Sequence, residues 1–227
     1  PEAVRRLFEF LEFRSLYERV VEALGARISG DGPEVGALEP QVEVIEDPDR
    51  AVAVLEASAD GPGAIAIAAG WSGDEGRSPL EGLAVVQDPA AATVAWLPAE
   101  MMAEPAVVDA LAGLVGAEGR PLAAHGAKAI MRSLHDYGVD VRSLVLDTMI
   151  AAYLLEPGES RYAIEELLER YTGLRLAVPA PTAEGRLDLD GDGAGLALAV
   201  AGRALAVDRL FAPLSDALDA RGLRRLN

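Results

Sequence analysis

The sequence predicts an α/β fold, and three observations predict it. Residues Pro121 to Leu155, PLAAHGAKAIMRSLHDYGVDVRSLVLDTMIAAYLL, read as a short buried strand, a helix, a turn at Tyr137-Gly138, a second apolar strand ending at Leu146 and a helix opening at Asp147. Strand and helix alternate there over lengths typical of an α/β sheet. The run AIAIAA at 64 to 69 is continuously apolar, which suits a central strand buried on both faces. GLAVVQD (82 to 88) and TVAWLP (93 to 98) follow each other closely enough to be hairpin partners.

Composition sets the bounds. A chain of 227 residues holds one large domain, or one domain with an appendage, and at 51% hydrophobic it can bury a core. The 20 basic residues against 37 acidic ones leave a formal net charge of −17. That balance opposes autonomous nucleic-acid binding, because such affinity comes largely from Lys and Arg neutralising phosphates. Lys128 is the single lysine, and Ala and Gly abound, a bias of the kind a GC-rich genome produces; it carries no mechanism. The absence of cysteine excludes disulfides, thiolate metal sites and cysteine nucleophiles. There is no run of eighteen apolar residues, and PEAVRRLFEF lacks a signal-peptide core, so a cytoplasmic protein is expected. Pro1 in place of an initiator Met suggests a processed or excised piece.

Taken in order, residues 3 to 24 space Val4, Leu7, Phe8, Leu11, Leu16, Val20 and Leu24 mostly three or four apart, the stripe of an amphipathic helix that stops at Gly25. ARISGDGPEVGALEP (26 to 40) is Gly/Pro-rich without periodicity and reads as a linker, so the expected division is 1–40, helix and linker, and 41–227, the main domain. From Gln41 to Glu46 apolar Val42 and Val44 alternate with polar neighbours in a strand. Asp47-Pro48 then caps a helix reaching about Ser58, since proline is tolerated where the first-turn N–H groups lack partners anyway. Gly61-Pro62-Gly63 breaks the chain before AIAIAA, and Gly73, Gly76 and Pro79 mark the loop before the hairpin. Glu104 to Gly116 is helical by period with Val107, Val108, Leu111, Leu114 and Val115 inward. After the 121 to 155 stretch, Ser160 is expected to cap a helix to about Tyr171, with Glu165 and Glu166 near its start, where the helix dipole favours anions. Residues 173 to 193 read as loop, and an Ala/Leu helix runs from about Gly195 to Leu218 across Pro213.

The residue constellations are weak as chemistry. Asp188-Leu189-Asp190-Gly191-Asp192-Gly193 matches the first half of a calcium loop, but the twelfth position, which should be a bidentate Glu, is Ala199; a solvated acidic turn is the plainer expectation. His125 and His135 are the only histidines, and no carboxylate or serine recurs at a spacing that would orient either as a base. His125 is expected to bond backbone at a strand end, and His135 to face solvent. No phosphate loop of the GxxxxGK[ST] type occurs. Asp147 follows a buried strand, and one carboxylate alone does not hold a metal pair; it is expected to be an N-cap for Thr148 to Ile150. Glu165-Glu166 and Asp216 with Asp219 are expected to be solvated helix faces, and Trp71 and Trp96 core or strand-edge aromatics.

With these residues laid out, two segments carry a resemblance to a known family. LFEFLEFRSLYERV (7 to 20) resembles the junction after the 5′ nuclease of bacterial family A DNA polymerases, and YGVDVRSLVLDTMIAAYLLEPGESRYAIEELLERYTG (137 to 173) resembles a strand, a DTM-type helix and an RY-terminated helix of their 3′-5′ exonuclease domain. The order of elements agrees throughout. The resemblance implies an RNase H-like (DnaQ-like exonuclease) α/β fold, a mixed five-stranded sheet flanked by helices, with an N-terminal helical extension.

Active members of that family hold two Mg²⁺ or Mn²⁺ with four carboxylates, which position and activate the attacking water. The first family motif, Asp-x-Glu, would fall at the end of AIAIAAG, where Ala68 and Gly70 stand. The second, Asn-x-x-Tyr-Asp, would fall in HGAKAIM, at Ala129 and Ile130. The third, Tyr-x-x-x-Asp, has no counterpart: no tyrosine follows Tyr171, and Asp208 is the one acid between Gly193 and Pro213. The resemblance therefore implies a degenerate domain with no catalytic, cofactor-binding or metal-binding residue. It would serve as a spacer between a 5′ nuclease and a DNA-directed DNA polymerase, monomeric and meeting DNA only through that parent. The alternatives are a two-metal exonuclease with relocated carboxylates (Asp147, Glu165, Asp208), and a calcium- or partner-binding module acting through 188 to 193.

Overall fold

Successive residues of a strand point to opposite faces of its sheet, so a central strand can feed two cores. The computed structural model describes residues 36–177 and 193–227. The helix predicted for 3 to 24 lies outside them, as does the acidic loop from Asp188 apart from Gly193. In strand β3 (Ile65–Trp71), Ile65, Ile67 and Ala69 enter one hydrophobic core while Ala66 and Ala68 enter the other. A fully apolar hexapeptide is the outcome of that double burial.

Around β3 the main sheet contains β2 (Gln41–Val44), β4 (Leu80–Asp88), β5 (Thr93–Pro98), β6 (Leu122–Ala124) and β7 (Leu144–Asp147), in the order β2-β5-β4-β3-β6-β7. β4 is antiparallel to both β3 and β5, and the remaining pairs are parallel. The sheet is thus mixed, as expected, but has six strands and not five. The additional edge comes from the alternating residues Gln41–Val44, whose register runs from Gln41 opposite Thr93 to Val44 opposite Trp96.

One face is covered by α1 (Pro48–Ala59), α2 (Pro105–Val115) and α3 (Ala127–His135), which bury Leu55, Leu111, Leu114, Ile130 and Leu134 against Ile65, Ile67, Val85 and Leu97. The other face is covered by α4 (Thr148–Leu155), α5 (Ile164–Thr172) and α6 (Gly193–Ala220). α6 is 28 residues long, runs through Pro213 and buries Ala197, Val200, Ala201, Ala204, Leu205 and Val207. It can lie close because the strand face beneath it carries Ala66, Ala68, Gly70, Gly82 and Ala84. At Gly70 an added Cβ would stand 3.0 Å from Val200 Cγ2, 3.1 Å from Trp96 Cη2 and 3.3 Å from Leu196 Cγ.

Local capping is as expected at one helix and different at another. Asp47 accepts from Arg50 N at 2.8 Å and Pro48 opens α1. Ser160 does not cap α5, which begins at Ile164 with Ala163 at the cap position and no side-chain cap bond. The intervening chain is held in a loop by Tyr162, whose hydroxyl donates to Glu156 O at 2.7 Å and whose ring meets Tyr153 edge-on at 6.0 Å. The ends of the expected linker and loop are also ordered. β1 (Ala37–Leu38) pairs in parallel with β8 (Arg175–Leu176), apart from the main sheet. Among the described residues no helix is long and apolar enough to cross a membrane.

Candidate functional site

Ligands of open α/β sheets bind outside the carboxyl ends of the strands. A pocket of about 190 Å³ lies there, lined by Ala68, Ala69 and Trp71 of β3, His125 after β6, Ile130 of α3, Glu165 of α5, and Arg203 and Val207 of α6, with Glu75 from the β3–β4 loop. A larger cavity, about 650 Å³, lies between β1, β8, α5 and α6 and contains none of the positions to which the resemblance assigns metal ligands.

Those positions do not fit a metal pair. Ala68 faces α6 without an oxygen donor, and Gly70 has its side-chain space taken by Val200, Trp96 and Leu196. Ala129 lies beneath the β3–β4 loop: Gly76, with φ +66°, comes so close that a Cβ on it would be 2.8 Å from Ala129 Cα and 3.0 Å from Ala129 O. Ile130 is buried in the opposite core. Two divalent cations need several carboxylates aimed at one point. Among the described residues no group of three or more His, Asp or Glu side chains is placed to hold a metal ion.

The three carboxylates of the relocated-site alternative do not converge on the pocket. Asp147 is buried and turned to backbone. Its Oδ1 accepts from Met149 N at 2.9 Å, Ile150 N at 3.4 Å and Gly126 N at 3.0 Å, and its Oδ2 accepts from Ala127 N at 2.8 Å. It is the expected N-cap of α4 and in addition holds the entry to α3. The same residue's backbone is bridged by Asn227, whose Oδ1 accepts from Asp147 N at 3.0 Å and whose Nδ2 donates to Asp147 O at 2.9 Å. Asp208 pairs with Arg209 at 3.2 Å, and burial pushes its carboxyl above the usual range, against the pull of Arg209 and Arg120. Of the three, Glu165 alone lines the pocket, from an exposed position in the first turn of α5.

His125 departs from the backbone bond expected of it: its Nδ1 lies 2.8 Å from Thr148 Oγ1. Burial lowers its imidazole below the ordinary value, opposed by Asp147, Glu75 and Glu165. His135 is exposed, as expected. Trp71 closes the far wall by donating from Nε1 to Ser133 Oγ at 2.8 Å, and Trp96 is buried.

Among the described residues the cation lining the pocket is Arg203. Its Nη1 is 3.1 Å from Glu75 Oε1 and its Nε 4.0 Å from Glu165 Oε1. Sequence reasoning passed over both Arg203 and Glu75. The available signal was that Arg203 is the sole charged residue between Gly193 and Asp208, in a stretch otherwise made of Gly, Ala, Leu and Val.

The chain is 32% identical over 233 aligned residues to DNA polymerase I of Mycobacterium tuberculosis, a match covering 96% of this chain. It is homologous to a segment of mycobacterial DNA polymerase I. That segment is 23% of the relative's length, so this chain spans about a quarter of the curated relatives it matches. No protein-family model matches the chain. Among solved structures, the POL domain of Pol1 from M. smegmatis, in complex with DNA primer-template and dNTP, matches with a TM-score of 0.63 and 24% identity, covering 82% of this chain and 29% of that one. Escherichia coli RNase D, an exoribonuclease, matches with a TM-score of 0.60 and 17% identity, covering 80% of this chain and 46% of that one. The fold is RNase H-like, and in fold this is a 3′-5′ exonuclease-like domain.

Proposed function

We propose that the domain is a non-cleaving relic of a 3′-5′ exonuclease and acts as a structural spacer in a DNA polymerase I-type parent. The observation that carries this reading is the state of the family's ligand positions: Ala68, Gly70, Ala129 and Ile130 supply no side-chain oxygen, and at Gly70 even a Cβ would press on Val200, Trp96 and Leu196. Homology to about a quarter of DNA polymerase I supports the covalent context. In that context residues 1–40 form the junction with a preceding 5′ nuclease, 41–227 the exonuclease-like body, and a polymerase domain follows. The parent is a DNA-directed DNA polymerase (nucleotidyltransferase) of replication and repair, cytoplasmic and monomeric, and it supplies the contact with DNA. This domain needs no metal of its own. An excess of 17 negative charges agrees with a body that does not grip a primer end.

The test is incubation of the 227-residue chain with 3′-labelled single-stranded DNA and Mg²⁺ or Mn²⁺. No shortening beyond a chelator control is expected. Stepwise 3′ degradation that disappears in Glu165→Gln or Asp208→Asn would overturn the reading in favour of relocated carboxylates.

A further inference from the structure

The pocket at the strand ends is small. Its volume of about 190 Å³ falls below the roughly 300–1,000 Å³ of ordinary ligand sites. Three elements meet over it. The β3–β4 loop, Ser72 to Pro79, is closed on itself by Ser72 N to Pro79 O at 3.1 Å and by Arg77 N and Ser78 N to Asp74 O at 3.0 and 2.9 Å. Through Gly76 the loop rests on the backbone of Ala129, and through Glu75 it reaches Arg203 of α6. On its other side the same guanidinium approaches Glu165 of α5.

We propose that Arg203 is a built-in cation that takes the place of the metals, strapping the β3–β4 loop, α5 and α6 together across the relic site and holding it shut. The chemistry is a substitution of charge type. In a two-metal site, cations gather acids from separate strands and helices; here a guanidinium gathers one acid from a loop and one from a helix. Guanidinium suits the place because its planar fork presents donors in several directions at once and stays charged at every working pH. Lysine, a point charge on a flexible stem, would not bridge two carboxylates in the same way. The small residues beneath α6 let that helix seat closely on the sheet and so fix where the Arg203 side chain starts. Gly76 brings the loop down without charge, since a Cβ on it would stand 2.8 Å from Ala129 Cα.

The proposal rests on the reading of the domain as non-cleaving, and its test is independent of DNA cleavage. Amide hydrogen exchange read by mass spectrometry on the 227-residue chain reports how often residues 72–79 open. In Arg203→Met exchange of that segment is expected to rise about fivefold, the population change corresponding to loss of exposed ion pairs worth up to ~1 kcal/mol. Glu75→Gln, a change on the exposed loop that leaves α6 untouched, is expected to raise it by a smaller factor, and Arg203→Lys to fall between wild type and Arg203→Met. With the guanidinium removed, Glu75 and Glu165 face an uncompensated space, so Mn²⁺ is expected to raise the Tm of Arg203→Met and to leave that of the wild type unchanged. Unchanged exchange over 72–79 in Glu75→Gln and Arg203→Met alike would overturn the strap. So would an equal Mn²⁺ response in wild type and variant. A strap that fails these tests in a chain that still leaves DNA intact refutes the strap alone; DNA degradation by a wild-type chain with a protected loop refutes the non-cleaving reading alone.

Discussion

Asp147 shows how one side chain can serve two helix starts at once. Its two oxygens take four backbone N–H groups, two at the first turn of α4 and two at the entry to α3. A helix leaves its first N–H groups unpaired, and a carboxylate there satisfies both the hydrogen bonds and the dipole. This work is structural, so Asp147 has a role in holding α3 and α4 whatever the residues at the end of β3 do. The expectation of an N-cap at Asp147 is therefore met, and the second helix entry is the part the sequence did not reveal, since Gly126 and Ala127 lie twenty residues upstream. In Asp147→Asn the amide group replaces one acceptor with a donor, leaving at least one of the four N–H groups, that of Ala127 or of Gly126, facing another donor. That substitution is expected to lower stability by about 2 kcal/mol. Urea denaturation checks it: the midpoint falls at unchanged m, and an unaltered midpoint would show that the four bonds contribute nothing net.

At the scale of elements, the close seating of α6 on β3 and β4 decides which side chains fit at the end of β3. The strand residues under the helix are Ala or Gly, and α6 returns Ala197, Val200, Ala201 and Ala204. The two surfaces fit so closely that a Cβ on Gly70, where the resemblance places a glutamate, would stand 3.0 to 3.3 Å from Val200, Trp96 and Leu196, which would have to give by a few tenths of an ångström. Placing an acid there is thus a packing problem before it is a chemical one. Gly70→Glu is expected to destabilise the fold by about 1–3 kcal/mol, the cost typical of overpacking, with the carboxylate's own desolvation added. A thermal melt would read this directly, and a variant as stable as wild type would mean that α6 lifts freely from the sheet. The elements themselves were legible wherever a local rule decides them: AIAIAA as a central strand, Asp47-Pro48 as a helix start, the hairpin from 82 to 98. They were not legible where a distant partner decides. Ala37–Leu38 and Arg175–Leu176 are strands only because they pair with each other, and nothing within either dipeptide announces it. Ser160 had the chemistry of a cap, but Tyr162 bonding back to Glu156 keeps that chain in a loop until Ile164. In the site, Glu75 and Arg203 could not be paired from the sequence, because the turn at Gly76 that brings the loop over α3 is a matter of backbone geometry.

For the whole molecule, charge is the property that composition fixes and the fold only distributes. Acids exceed bases by 17, so even with every Lys and Arg engaged a large excess of carboxylates remains unneutralised. The pairs among the described residues, such as Arg50 with Glu43 at 2.9 Å and Arg224 with Asp219 at 2.8 Å, join side chains that are roughly half exposed. Each such pair contributes at most about 1 kcal/mol, and salt weakens it. Salt also weakens the repulsion among the surplus acids, which acts between many more pairs and over longer distances, up to a Debye length that shrinks from about 30 Å at 0.01 M to about 8 Å at 0.15 M. The long-range repulsion is lost first and in larger total, so its relief governs the sign. The Tm of the 227-residue chain is therefore expected to rise by a few degrees between 10 and 150 mM NaCl, roughly the shift that ~1 kcal/mol makes in a domain of this size. A Tm that falls over this range, measured by calorimetry at fixed pH, would mean that the exposed ion pairs outweigh the net charge. Should that happen, the Glu75–Arg203–Glu165 strap would be the first place to look, because a bridging guanidinium is where screening has two attractions to weaken at once.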